Sequence, residues 1–222
     1  MIRATRDNKL KCETVVFDLD GVLIDSSRDI ADAVNRVLEI YNCENKDYYY
    51  IRERIGDSTK DILLQCLKDD KKHLIDQILV KYKELYHHNC TKQTTLYPGV
   101  KEVFQSLVGN VNIALATSKE RDATEKILEE LGVKEYFDMI VTSDDVAHCK
   151  PDPECILKIL EGLQSRREAT ILVGDTPRDV LTGKNAGVKT CAVLYGYGNS
   201  EDIKKAKPDF ILSDIRELLK II

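Results

Sequence analysis

Asp18 and Asp20 stand two residues apart, directly after the short run TVVF (14–17), and Gly21 follows them. In extended chain, residues two apart point to the same side. Two carboxylates so placed repel, and both stay ionised only if something compensates. The plain reading is an Asp-Gly turn leading into a helix cap. The alternative is a divalent cation held by oxygen ligands. Asp175 follows another apolar run, TILVG (170–174), and Asp179 lies four residues beyond it. With Asp175 delivered to the same place the cation reading prevails. Oxygen ligands without thiolate or imidazole suit Mg2+, which keeps several waters and binds one or two carboxylates plus a substrate phosphate.

Thr117 and Ser118 follow the run VNIALA (111–116). Ser118 reads as the N-cap of a helix beginning near Lys119. The same geometry offers hydroxyls and free helix N–H groups to an anion. Lys150 precedes Pro151, which biases the lysine toward extended backbone. It is either an ordinary solvated lysine or the cation that offsets the gathered carboxylates and holds an anionic substrate. Thr176-Pro177-Arg178-Asp179 also reads as a helix start, with Thr176 as N-cap and Asp179 closing a box-like cap. Asp179 is therefore either a cap or a member of the metal shell. Asp175 has no such alternative.

These residues need a scaffold that gathers loops. From residue 99 onward, short apolar runs alternate with helical patterns: VNIALA (111–116), FDMIVT (137–142), TILVGD (170–175), TCAVL (190–194) and FIL (210–212). Continuous apolar runs fit strands buried on both faces of a parallel sheet. The fold class expected is α/β, a doubly wound parallel sheet. In such sheets ligands bind beyond the carboxyl ends of the strands, and every residue named above follows a strand. Residues 25–97 differ. Ile30, Val34, Val37, Leu38 and Tyr41 recur at helical spacing, as do Leu74, Ile75, Ile78, Leu79, Tyr82, Leu85 and Tyr86. They predict a helical cap of about four helices, with no strand, inserted into a core of residues 1–24 and 98–222. Tyr48, Tyr49 and Tyr50 read as packing within it, and residues 68–72 as a solvated turn.

Composition removes several function classes. The chain has 222 residues, 43% hydrophobic and 32% charged, so it is neither disordered nor embedded in a membrane. No apolar run approaches the ~20 residues that span a bilayer. A net charge of −5 argues against nucleic acid as a partner. The seven cysteines are odd in number with no CxxC pair, which fits reduced thiols rather than a zinc site or disulfide framework. His87 and His88 are adjacent, do not share a helix face, and are not expected to bind metal. The N-terminal MIRATRDNKLKCE has no apolar core of a secretion signal, so the cytoplasm is the expected location.

The segments FDLDGVLIDS (17–26), ATSK (116–119), KPDPE (150–154) and LVGDTPRDVLTGKNAGVKTCAV (172–193) resemble the haloacid-dehalogenase superfamily, in order and over nearly the whole chain. The resemblance implies a Rossmann-like core with an inserted cap. It implies that Asp18 is the nucleophile and that Asp20 protonates the leaving oxygen and then activates water. Asp18, the Asp20 carbonyl and Asp175 would hold Mg2+, with Asp179 supporting the shell. Thr117, beside Ser118, and Lys150 would bind the phosphoryl group of a small phosphorylated metabolite. A halide leaves without protonation, so the presence of Asp20 favours phosphate chemistry over dehalogenation.

Within that superfamily DSSRDIADAVNRVLE (25–39), IRERIGDS (51–58), GYG (196–198) and PDFIL (208–212) are similar to the phosphoglycolate phosphatase branch. Three positions depart from it: Val22 where threonine is common, Ser58 in place of a second glycine, and Cys149 where serine is frequent. Pyrophosphatases and sugar-phosphate mutases or phosphatases share the scaffold, and a silent phospholigand-binding module is the reading of a different class. Arg52 and Lys60, flanking Gly56 together with Arg54, are the cap residues expected to meet a second anionic group. Ile24-Asp25 and Leu96-Tyr97 are the expected hinges.

Overall fold

The computed structural model describes residues 10–222; residues 1–9, part of the stretch on which the expectation of no secretion signal rests, lie outside the described residues. Six parallel strands form the central sheet: β1 (Thr14–Phe17), β4 (Asn112–Ala116), β5 (Met139–Val141), β6 (Thr170–Gly174), β7 (Lys189–Val193) and β8 (Phe210–Leu212), in the order β5-β4-β1-β6-β7-β8. The first strand is therefore central. The chain builds outward on one side of it, then returns to the other, and the crevice this reversal leaves lies at the carboxyl ends of β4, β1 and β6. The register puts Phe17 beside Leu115 on one side and Val173 on the other, so the loops that follow these three strands leave the sheet at one level.

Alternation along the strands supplies two buried faces. Val15, Phe17, Ile113, Leu115, Ile171 and Val173 pack in one cluster with Val103, Phe104 and Ile127 of α5 (Val100–Leu107) and α6 (Arg121–Glu130). Val16, Ala114, Ala116 and Leu172 pack on the other face with Ile156, Ile159 and Ala186 of α7 (Glu154–Gly162) and α8 (Pro177–Ala186). Residues that point to both faces are apolar because helices cover both. The short α9 (Ser200–Ala206) buries Ile203 against Val180 and Ala192.

Between β1 and α5 the chain forms four helices, α1 (Ser27–Ile40), α2 (Tyr48–Arg52), α3 (Thr59–Cys66) and α4 (Ile75–Asn89). The buried residues of α1 include Ile30, Val34, Val37 and Leu38, those of α4 are Ile78, Tyr82 and Tyr86, and the two helices pack together. Residues 69–74 make a 3-10 turn with nothing buried, as the charge run 68–72 predicts. The tyrosine run divides: Tyr48 and Tyr50 pack against the core, while Tyr49 is exposed.

The expectation of a strand-free insertion fails at its ends. Strands β2 (Ile24–Asp25) and β3 (Thr95–Leu96) pair antiparallel, Ile24 with Leu96 and Asp25 with Thr95. Two-residue strands are too short to leave a period in the sequence; they form because the outgoing and returning linkers run side by side. A buried carboxylate ties the same place. Asp29 in α1 accepts from the Gln93 amide at 2.9 Å, the Thr94 amide at 3.0 Å and Thr94 Oγ1 at 2.9 Å. Asp29→Ala leaves those donors unpaired in a buried place. We expect a loss of about 2–4 kcal/mol in urea unfolding, at the level of charge-assisted bonds; a loss near zero would show that the linkers are held by β2–β3 pairing alone.

Candidate active site

Asp18 is the first residue beyond β1, its amide held by the Val173 carbonyl at 2.9 Å. Asp175 is the first residue beyond β6. Asp179 sits in the first turn of α8, where Thr176 Oγ1 donates to its Oδ2 at 2.6 Å in a capping box. One oxygen from each of Asp18, Asp175 and Asp179 lies within 4.8 Å of the other two, and all three residues are buried. Lys150, in the loop leading into α7, places its ammonium between two of them, 2.8 Å from Asp18 Oδ1 and 2.7 Å from Asp179 Oδ1. The alternatives for Asp179 therefore coexist: its Oδ2 caps the helix while its Oδ1 faces Lys150.

The tight turn after β1 makes room for this. The Leu19 carbonyl accepts from the Leu23 amide at 2.9 Å, and Gly21 takes a φ of +85° that L side chains rarely adopt. A Cβ at Gly21 would collide with the Asp175 carboxylate. Asp175 Oδ2 in turn accepts from the Tyr197 amide at 2.7 Å.

Electrostatics follow from burial. Burial pushes the Asp18 carboxyl up to about 7, against the pull of Lys150 and with the help of Asp179 and Asp20. Burial, then the charges of Asp179 and Asp18, pushes Asp175 well above the usual carboxylate range. For Asp179 burial also acts upward, but Lys150 and Thr176 outweigh it and hold the group below its ordinary value. Lys150 is lowered by burial and raised more strongly by Asp179 and Asp18, so it stays charged. One ammonium among three buried carboxylates leaves negative charge uncompensated. A hard, oxygen-seeking dication fits this donor set.

Asp20 is placed differently. Its Oδ1 accepts from Ser26 Oγ, and its Oδ2 lies 3.2 Å from the Lys119 ammonium. Its carboxylate is not part of the three-carboxylate group. One expectation for the next loop needs correction. Ser118 is not an N-cap: α6 starts at Arg121 behind Glu120, and the Arg121 amide is taken by Asp144 Oδ2 at 2.8 Å. Thr117 Oγ1 instead accepts from the Lys119 amide at 3.1 Å. The helix starts two residues later than the spacing suggests because Asp144, from the neighbouring loop, competes for its first turn.

A cleft of about 520 Å3 opens over these groups, lined by Asp18, Asp20, Thr117, Ser118, Lys150 and Asp179 from the sheet edge. Ile30, Ile55, Gly56, Ile62, Tyr82 and Tyr86 face it from the helical insertion. Arg52 and Lys60 do not line the cleft. Arg52 donates to the Gly196 carbonyl at 2.9 Å and stacks 4.9 Å from the Tyr197 ring. Lys60 pairs with Asp76 at 2.9 Å on the surface. Spacing brings a cation near the loop but does not say which way a long side chain turns.

Several residues of the site escape sequence reading. Tyr197 Oη donates to Asp25 Oδ1 at 3.0 Å and accepts from the Ser26 amide at 2.9 Å, so one residue touches Asp175 and the linker into the insertion. Its only sequence trace is the GYG segment. Arg178 bridges the sheet edge to Asp57 of the insertion. Lys119 and Tyr86 meet across the cleft at 2.7 Å. All seven cysteines are free thiols.

The family described as haloacid dehalogenase-like hydrolase matches residues 15–193. The pyrophosphatase PpaX of Halalkalibacterium halodurans is 33% identical, over 96% of this chain and 98% of its own. The phosphoglycolate phosphatase of Aquifex aeolicus is 34% identical, over 94% and 95%. A crystal structure of a predicted phosphoglycolate phosphatase from Haemophilus somnus superposes with a TM-score of 0.86 at 25% identity, over 95% of this chain and 98% of that one.

The buried carboxylates make stability depend on pH and metal together. The folded-state pKa of Asp18 is about 7, against about 3.9 when unfolded. In metal-free protein its contribution is full below the unfolded value and is lost as pH rises through the folded one. Asp175 acts in the same direction. Mg2+ should therefore raise the melting temperature more at about pH 8 than at about pH 5.5. Differential scanning fluorimetry with EDTA or Mg2+ reads this, and an equal rise at both pH values would remove the carboxylates as the metal site.

Proposed function

From the premise that the chain belongs to the haloacid dehalogenase-like hydrolase family, we propose that it is a Mg2+-dependent phosphatase acting on a small phosphorylated metabolite through an aspartyl-phosphate. The observation that carries this is the buried set Asp18, Lys150, Asp175 and Asp179, of which Asp18, Lys150 and Asp179 line the cleft. Asp18, Asp175 and Asp179, with the Asp20 carbonyl, are the groups that would hold the ion. Bound there, Mg2+ supplies positive charge against the phosphoryl oxygens and the nucleophile.

Asp18 attacks phosphorus, and the bond from phosphorus to the leaving oxygen breaks. Asp20 gives that oxygen a proton. Asp20, now a carboxylate, takes a proton from water, and the water oxygen displaces Asp18 from phosphorus. Two easier displacements replace one hard one. Lys150 fixes Asp18 through Oδ1, leaving Oδ2 to react, and its charge stabilises the transferring group. Thr117 Oγ1 accepts from the Lys119 amide, so its hydrogen is available to a phosphoryl oxygen.

The substrate reading is a phosphoric monoester of the phosphoglycolate type. Inorganic pyrophosphate is the second reading, favoured by the relative from Halalkalibacterium halodurans. Asp18→Asn should lower kcat on p-nitrophenyl phosphate by about 10³-fold or more and abolish a trappable phosphoenzyme. Folded wild type that hydrolyses no phosphate ester with Mg2+ present would sink the proposal in favour of a silent binding module.

The helical insertion, residues 25–97, acts as a cap that closes over the phosphate. The paired linkers β2 and β3 are its hinge. Arg178 to Asp57 and Arg52 to the Gly196 carbonyl are the contacts that close it. Closure excludes bulk water and completes substrate contacts. Asp57→Asn removes the charge partner of Arg178, so KM should rise and kcat fall together, by about threefold to tenfold each. Steady-state kinetics on one ester checks this, and unchanged values would mean the bridge plays no part in closure.

A further inference from the structure

Lys119 is a buried cation that the mechanism above does not use. Its side chain is 7% exposed and it lines the cleft. Its ammonium donates to Tyr86 Oη at 2.7 Å, stands 4.5 Å from the centroid of the same ring and lies 3.2 Å from Asp20 Oδ2. An ammonium carries three N–H donors, so these two polar partners leave one to spare. A buried charge is retained at a cost unless its partners are complete, and an anion in the cleft would complete them.

The neighbouring cations are committed elsewhere. Arg52 is bound to the Gly196 carbonyl, Arg54 lies over the Tyr50 ring, and Lys60 pairs with Asp76. Lys83 pairs with Glu120 at 2.6 Å. Lys150 is held between Asp18 and Asp179. Lys119 is thus the cation nearest to Asp20, the group placed against the leaving oxygen. Atoms bonded to that oxygen come within reach of its ammonium. Tyr82 and Tyr86, both buried, wall this part of the cleft and lower the local dielectric, which strengthens a charge contact.

We propose that Lys119 is a specificity-determining residue that pairs with a second anionic group on the leaving side of the substrate, a carboxylate or a phosphoryl close to the scissile bond. Tyr86, from the last helix of the insertion, holds the ammonium in place for it. The inference rests on the reading of Asp20 as proton donor to the leaving oxygen.

The test compares 2-phosphoglycolate, inorganic pyrophosphate and ethyl phosphate, the last matching phosphoglycolate in carbon number without its carboxylate. With Mg2+, wild type should show kcat/KM about tenfold or more higher on at least one doubly anionic substrate than on ethyl phosphate. Which one it prefers identifies the anion as carboxylate or phosphoryl. Lys119→Met and Lys119→Gln lower activity on every substrate but should also reduce that preference about tenfold or more, chiefly through KM, with melting curves showing folded protein. Wild type that turns over ethyl phosphate as well as the other two overturns the inference and leaves the phosphatase reading standing. So does a folded Lys119→Gln that loses activity on all three in parallel. No turnover of any phosphate ester overturns the phosphatase reading, and the inference with it.

Discussion

Three carboxylates and one ammonium, buried together at the edge of a parallel sheet, carry more negative charge than their own contacts neutralise. That excess organises the rest of the site. Lys150 is held by two of the carboxylates and fixes the orientation of Asp18. Asp175 is enclosed by the Tyr197 amide and by Gly21, a residue whose lack of a Cβ is what lets the turn after β1 pass so close. Burial pushes Asp18 and Asp175 toward protonation, and a hard dication is a partner that would make the ionised forms favourable. The same low dielectric that makes the set costly strengthens each charge contact within it.

The position of the helical insertion follows from the strand order. It leaves the chain directly after β1, the central strand and the one that carries Asp18. Whatever is inserted there must stand over Asp18. Its two linkers lie side by side as β2 and β3 and are joined again by Asp29. Tyr197 connects these linkers to Asp175, and Arg52 and Arg178 connect the insertion to the sheet edge. The carboxylate group and the insertion therefore share residues rather than merely neighbouring each other.

Much of the site is legible in the sequence because its members sit at strand ends. Asp18, Thr117 and Asp175 each follow an apolar run, and the parallel register brings those run ends to one level. The Thr176-Pro177 helix start is likewise local chemistry, and it appears with its capping box. What escapes is what depends on side-chain direction or on a neighbouring loop. Ser118 loses its capping role because Asp144 reaches the α6 start from elsewhere. Arg52 and Lys60 sit near Gly56 in the chain, yet turn toward Gly196 and Asp76. Lys119 and Tyr86 are 33 residues apart, and no spacing rule pairs them.

By itself the sequence determined the sheet, the insertion point and the identity of the core carboxylates, since periodicity and strand-end position are properties of a local stretch of chain. Tertiary structure decided the division of labour among charges. It set Asp179 to cap a helix with one oxygen and face Lys150 with the other, kept the Asp20 carboxylate out of the three-carboxylate group, and placed Lys119 rather than Arg52 beside Asp20. The physical reason is that long and charged side chains settle by pairing and desolvation with partners remote in sequence, and those terms exist only once the loops have been brought together.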